Sequence, residues 1–350
     1  MKNYLKQSFP KSATAAEKIR RLTEIIGPDD MLAILIQADP DAIGSALALK
    51  RLFWRKARKI LIYHLNPIQR ADNLALIKLL RIDMQPVRHL KPALVTKWAV
   101  VDSQPGHYPD FRDIPFDIVI DHHPCHEELQ ARFFDVRENL GATATIMTEY
   151  LKGAKISPSQ KLATALFYGI KTDTDNFVRG AVFEDISAFW YLYQFINMNI
   201  VKKIESSEMT RKTLASYRLA MERLTFLKDI AYVHLGEVEN PDVLVIIADF
   251  FIRLAEATWS IVSGVHKDKL IVIFRNAELR GNAGKTAQGL FGRWGALAGG
   301  HHGAARAEMP LSLLPKDPKG LIDPGVFVLR NLKEMKKRPS KGAWTPKEFE

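Results

Sequence analysis

Five short apolar runs succeed one another early in the chain, at 31–37 (MLAILIQ), 59–64 (KILIYH), 98–101, 117–120 and 132–136, with helical or polar stretches between them. Strands that alternate with helices build βαβ units, and such units leave few options beyond a mostly parallel, doubly wound α/β sheet. Helical spacing supplies the alternating partners. It runs through Ala16, Ile19, Leu22, Ile25 and Ile26 up to Gly27-Pro28, and returns after Ser45, at 73–80, at 142–153 and at 158–170. A further helix at 181–197 is strongly aromatic on one side, and 200–227 reads as a long helical connector.

A chain of 350 residues is long for a single core and implies two domains. The expected division is a first domain at 1–198, a helical linker at 199–228, a smaller α/β domain with a mixed sheet at 229–332, and a basic tail at 333–350. In the second domain 230–235 reads as a strand, 260–266 with 269–275 as a hairpin, and 284–298 as a helix. The most apolar long segment, 243–265, is interrupted by Asp249, Arg253 and Glu256. It therefore reads as a strand followed by an amphipathic helix rather than a membrane span, and 243–248 alone fits either a strand or a helix start.

Net charge is +11, which favours an anionic partner, although six Lys/Arg against three Glu in the tail account for part of it. One cysteine, Cys125, excludes an internal disulfide and a cysteine-rich zinc site. The N-terminus has no apolar core of signal-peptide type, so a cytoplasmic location without a membrane partner is expected.

What the runs end in carries the chemistry. Asp39 and Asp41 follow the first, Asp102 the third, and Asp121-His122-His123-Pro124 the fourth, while Asp173 closes the helix begun at 158. Open α/β sheets bind ligands outside the carboxyl ends of their parallel strands. Carboxylates gathered there would raise one another's pKa, a cost that a bound cation removes. An oxygen-rich set with one or two imidazoles suits Mn²⁺ or Mg²⁺ better than zinc. Two such ions ~3.5–4 Å apart can clamp a phosphoryl group for in-line attack by water. Any one aspartate after a strand also fits a turn or a helix N-cap, as Asp39-Pro40-Asp41 does. Four such positions together with a histidine pair point to a metal.

In this order the motifs resemble the DHH phosphoesterase family. DPDAIGSALAL resembles its first motif, VVDS the second, DHHP the third and GIKTDTDNF the fourth, while FRNAELRG and GGHHGAARA resemble its associated C-terminal domain. The resemblance implies one metal site of Asp41, Asp102, His122 and Asp173, with Asp102 bridging to a second metal held by Asp39. It makes Asp102, His122 and His123 the catalytic set, His123 facing the scissile phosphate and Asp121 orienting its neighbours. It places Arg275, Gly299, Gly300 and His301 on the substrate, which would lie between the domains.

Four residues depart from the pattern. Leu35 stands where many members have a histidine and Gln37 where others have a carboxylate, so the Asp39 site should hold its metal more weakly. Asp175 and Arg306 stand where glycines are common. The implied activity is Mn²⁺- or Mg²⁺-dependent hydrolysis of short oligonucleotides or nucleotide phosphates, since no aromatic-studded basic channel for long strands is evident. A homodimer is allowed for. Two other readings stay open: a catalytically weakened nucleotide-binding regulator, and a pyrophosphatase or polyphosphatase.

Overall fold

The computed structural model describes residues 5–125, 127–207, 210–278, 281–300, 302–316, 320 and 323–335. Contacts divide the chain into two compact units, Met1–Glu208 and Met209–Glu350. The first contains α1 (Ala15–Thr23), β1 (Met31–Ile36), α2 (Pro40–Leu52), β2 (Lys59–His64), α3 (Ala71–Leu79), β3 (Gln85–Pro86), β4 (Lys97–Val101), β5 (Ile118–Asp121), β6 (Phe133–Val136), α4 (Thr143–Gly153), α5 (Gln160–Asp173), α6 (Phe183–Tyr193) and α7 (Met198–Ser206).

Its sheet runs β3-β2-β1-β4-β5-β6, and every neighbouring pair is parallel. The chain winds outward from β1 through β2 to β3, then returns to β4 on the other side of β1. The order therefore reverses between β1 and β4, and a crevice at their carboxyl ends follows from that reversal. Side chains alternate across the sheet with period two. Leu32, Ile34, Ile36, Ala99, Val101, Ile118 and Ile120 pack under α2, α4 and α5. Ala33, Leu35, Val100 and Val119 pack on the opposite face against Phe111, Phe116 and Leu129 from the connections after β4 and β5. Leu35 is thus a fully buried core residue.

The second unit contains α8 (Arg211–Arg223), β7 (Thr225–Leu227), β8 (Ile230–Glu237), α9 (Asp242–Phe251), β9 (Trp259–His266), β10 (Lys269–Asn276), α10 (Ala283–Phe291), β11 (Leu297–Gly300), β12 (Ala304–Pro310) and α11 (Pro324–Met335). Its mixed sheet runs β11-β12-β10-β9-β8-β7, with β8 and β9 parallel and the other pairs antiparallel. The β9–β10 hairpin turns on Lys267-Asp268, both left-handed at φ 45° and 58°, the pairing that a two-residue type I′ turn demands. The 200–227 stretch, expected as one long helix, holds two helices, α7 and α8, and ends in strand β7. α7 packs on α3 and α5 of the first unit, and α8 on β8 and α9 of the second.

Two further expectations are corrected here. The 243–265 segment is a helix followed by a strand, the reverse of the order read from sequence. Leu244, Ile247, Ala248 and Phe251 are buried at helical spacing, against Val233, Leu235, Ile271 and Ile273. The α-helix from 284 also stops at Phe291, short of 298; one 3-10 turn follows at Gly292–Trp294, and 297–300 forms an edge strand. Gly292 and Gly295 account for the break, Gly295 at φ +79°. Among the described residues, no helix is long and apolar enough to cross a membrane.

One packing contact ties the core to the acids. α2 crosses α5 so closely that a Cβ at Gly169 would lie 2.9 Å from the Asp41 Cα. Gly169→Ala must push the helices apart and should destabilise the first unit by about 1–3 kcal/mol. Urea unfolding should show the loss as a lowered midpoint, and an unchanged midpoint would contradict the packing.

Candidate metal centre

The crevice between β1 and β4 gathers the acids. Asp39 caps α2, its Oδ1 accepting from the Ala42 N–H at 2.9 Å, with Pro40 in the first turn. Asp41 does something different: it reaches across to the start of α4. Its Oδ2 accepts from the Thr143 N–H and its Oδ1 from the Ala144 N–H, both at 2.7 Å. These are N–H groups that a helix start leaves without intrahelical partners. The Thr143 hydroxyl donates to Asp102 Oδ1 at 2.8 Å, fixing the acid at the end of β4. Asp102 itself is left-handed at φ +60°, a conformation that costs an L-residue about 1–2 kcal/mol.

His122 leaves the end of β5 with its Nδ1 on the Leu140 carbonyl at 3.1 Å, which turns Nε2 into the crevice. Nε2 lies 3.1 Å from Asp173 Oδ2 and 3.6 Å from Asp102 Oδ1. It is buried and makes no hydrogen bond of acceptable geometry. Ligand atoms of Asp41, Asp102, His122 and Asp173 all lie within 4.8 Å of one another. A buried imidazole nitrogen facing three carboxylates without a bonded partner is the arrangement a divalent cation would satisfy. Three oxygen ligands and one nitrogen fit Mn²⁺ or Mg²⁺.

The electrostatics agree. Burial, then the charges of Asp173 and Asp41, push the Asp39 carboxyl up to about 7. Burial and Asp173 push Asp41 up to about 6. Burial with the charges of Asp41, Asp39 and Asp173 raises Asp102 well above the carboxylate range. Burial alone would lower His122, yet Asp173 and Asp41 outweigh it and raise the imidazole to about 10. Both effects favour positive charge at this point, which a divalent cation would supply.

Residues 32–170 match the N-terminal domain of the DHH family. This domain belongs to the DHH family. A protein of Methanocaldococcus jannaschii, uncharacterised, is 36% identical over 279 residues, covering 79% of this chain and 57% of its own length. The chain thus spans little more than half of that relative. An exopolyphosphatase-related protein from Bacteroides fragilis shares the fold at a TM-score of 0.73 and 15% identity, over 94% of this chain and 99% of that one. Exonuclease RecJ bound to manganese aligns at a TM-score of 0.51 and 15% identity, over 93% and 95% of the two chains. The fold is DHH phosphoesterase-like.

Within the DHH tripeptide the three side chains divide their work. Asp121 is buried at the end of β5 and accepts from His123 Nδ1 at 2.9 Å and from Gln104 Nε2 at 2.6 Å. Burial alone would raise its pKa, but these hydrogen bonds hold it below the usual carboxylate range. His123 is 45% exposed at the side chain, and its Nδ1 is the nitrogen engaged by Asp121. It also lies close enough to Asp102 and His122 to form a second three-residue group with them. Asp39 belongs to neither group.

In the second unit, Arg275 is paired with Asp249 of α9, with Nε donating to Oδ1 at 2.5 Å. Gly299 and Gly300 lie on the edge strand β11, exposed. Gly300, at φ +150°, packs so closely on Ala304 and Ala305 that no Cβ would fit. His301 lies outside the described residues. Arg306 pairs with Glu308 at 2.6 Å. Asp175, Asn176 and Phe177 are all left-handed, at φ 46°, 58° and 68°. That backbone explains why glycine would be at ease at 175.

Sequence reading missed the residues that hold the ligands in place. Asn66 pairs its side-chain amide with both backbone groups of Ala38, at 2.7 and 3.0 Å, steadying the loop that carries Asp39 and Asp41. Asp185 of α6, fully buried, accepts from the Gly141 N–H, the Val182 N–H and the Thr145 hydroxyl. The 140–145 segment it anchors touches His122, Asp41 and Asp102. A sequence shows no period or motif for such a residue; its only signal was an acid on an otherwise aromatic helix.

Two outcomes follow from this geometry. A cation must displace the His122 proton, whose folded pKa is raised, so affinity should fall as pH is lowered from about 8 toward 6 and binding should release protons. Calorimetry in buffers of different ionisation heat measures this, and binding without proton release would contradict the ligand set. Asp185→Ala leaves three donors unpaired and should weaken metal binding about 10–100-fold. A titration showing unchanged affinity would separate Asp185 from the centre.

Proposed function

We propose that the chain is a divalent-metal-dependent phosphoesterase that hydrolyses short oligonucleotides or nucleotide phosphates. The observation that carries this reading is the Asp41–Asp102–His122–Asp173 group at the sheet's switch point, with the buried His122 Nε2 left for a cation. These four residues would hold Mn²⁺ or Mg²⁺, and RecJ, a structural neighbour, is described with manganese bound. When bound, such an ion neutralises phosphoryl oxygens and makes a water more acidic.

The chain's own groups do the rest. Thr143 and the α4 N-terminus hold Asp102 and Asp41 as acceptors, and Leu140 fixes the tautomer of His122. Asp121 holds the Nδ1 side of His123, so its Nε2 can deliver a proton to the leaving oxygen or steady the phosphate. Burial alone would lower the His123 pKa, but the Asp121 bond raises it, which favours the acid role. The exposed backbone of Gly299 and Gly300 supports contact with a phosphate or nucleotide end. Asp39, engaged as a helix cap and apart from both ligand groups, supports one tight and one weak ion.

Activity on a generic phosphodiester should vanish in chelator and return with Mn²⁺; full activity in chelator would sink the proposal. Asp102→Ala and His122→Ala should each abolish turnover, because each removes a ligand of the tight site. Near-normal rates in either variant would refute the assignment.

A further inference from the structure

One face of α6 is fully accounted for. Asp185, Ala188 and Leu192 are buried in the first unit, and Phe189 stacks on Phe167 with ring centres 3.9 Å apart. The other face carries Phe183, Ile186, Trp190 and Tyr193, which are 78, 52, 76 and 50% exposed. A solvent-facing helix stripe is ordinarily polar or charged. Between 183 and 193 the only charged residues are Glu184 and Asp185, and Asp185 points into the 141–145 network. The Trp190 and Tyr193 rings are already aligned, 7° from parallel with centres 6.4 Å apart. Little conformational freedom remains for a partner to restrict there.

We propose that this stripe is a two-fold interface between two copies of the chain. Its steps of three, four and three residues are those of a helix-pair seam. An antiparallel two-fold axis near residue 188 sets Phe183 of one copy against Tyr193 of the other, and Ile186 against Trp190. Every member of the stripe then meets another member of the same stripe. Self-complementarity of this kind is what a closed two-fold contact requires, whereas an unrelated partner would need a matching surface of its own. Antiparallel pairing also opposes the two helix dipoles.

The area suffices. Aromatic side chains bury ~150–250 Å² each, so at these exposures three aromatics and an isoleucine offer roughly 500 Å² per copy. The pair would bury roughly 1,000 Å², the level that a specific interface reaches.

Sedimentation equilibrium of the full chain tests this. The wild type should have twice the chain mass. Trp190→Lys and Tyr193→Glu, at separate points on the stripe, should each weaken the dimer at least ~30-fold while far-UV circular dichroism stays unchanged. Trp54→Lys, at another exposed tryptophan (59%) just after α2, should leave the dimer intact. A wild-type monomer at every loading concentration would overturn the proposal. So would a dimer that survives both stripe substitutions combined.

Discussion

A carboxylate from one helix closes the open end of another, and the rest of the centre is built around that contact. Asp41 takes the Thr143 and Ala144 N–H groups of α4, and the same turn of α4 holds Asp102 through the Thr143 hydroxyl. Three residues before Thr143 in the same segment, the Leu140 carbonyl takes the Nδ1 of His122. Three metal-competent side chains from three elements are thus registered to one stretch of backbone. Asp185 fixes that stretch in turn, and Gly169 lets α5 come close enough to α2 for Asp173 to complete the group.

The contact also explains how so many acids coexist at the switch point. The N-terminus of α4 contributes a partial positive charge, and its N–H groups stabilise Asp41 in ionised form. Burial works against ionisation at Asp39, Asp41 and Asp102, and their pKa values rise accordingly. The left-handed backbone at Asp102 adds strain at the same spot. Strain and clustered charge that the surrounding fold over-determines are characteristic of functional sites, and here the geometry assigns them a reason. A cation at this point offsets the repulsion that the fold maintains.

Much of this could be read in the sequence because parallel strands are buried on both faces and stand out as apolar runs. The five runs gave five of the six strands of the first sheet, and β3, two residues long, had no such signal. The acids could be read because they sit immediately after strands, where topology alone brings them together. What failed has equally physical causes. The run at 243–248 is too short for its period to separate helix from strand, and burial of Leu244, Ile247 and Phe251 against the second sheet decided it. The helix expected to reach 298 gave way at Gly292 and Gly295. Nothing in the sequence signals the pairing of Arg275 with Asp249, 26 positions away. Asn66, Gln104, Thr143 and Asp185 act through backbone and neighbouring side chains, and such roles leave no spacing to recognise.

The central claim is that Asp41, Asp102, His122 and Asp173 form one cation site set by the start of α4. Anomalous diffraction at the manganese edge, from crystals of the protein soaked in Mn²⁺, measures it without reference to any substrate. The account predicts the strongest peak within coordination distance of all four side chains, and no such peak in His122→Ala crystals. A strongest peak elsewhere, or one at this place that persists without His122, would contradict it.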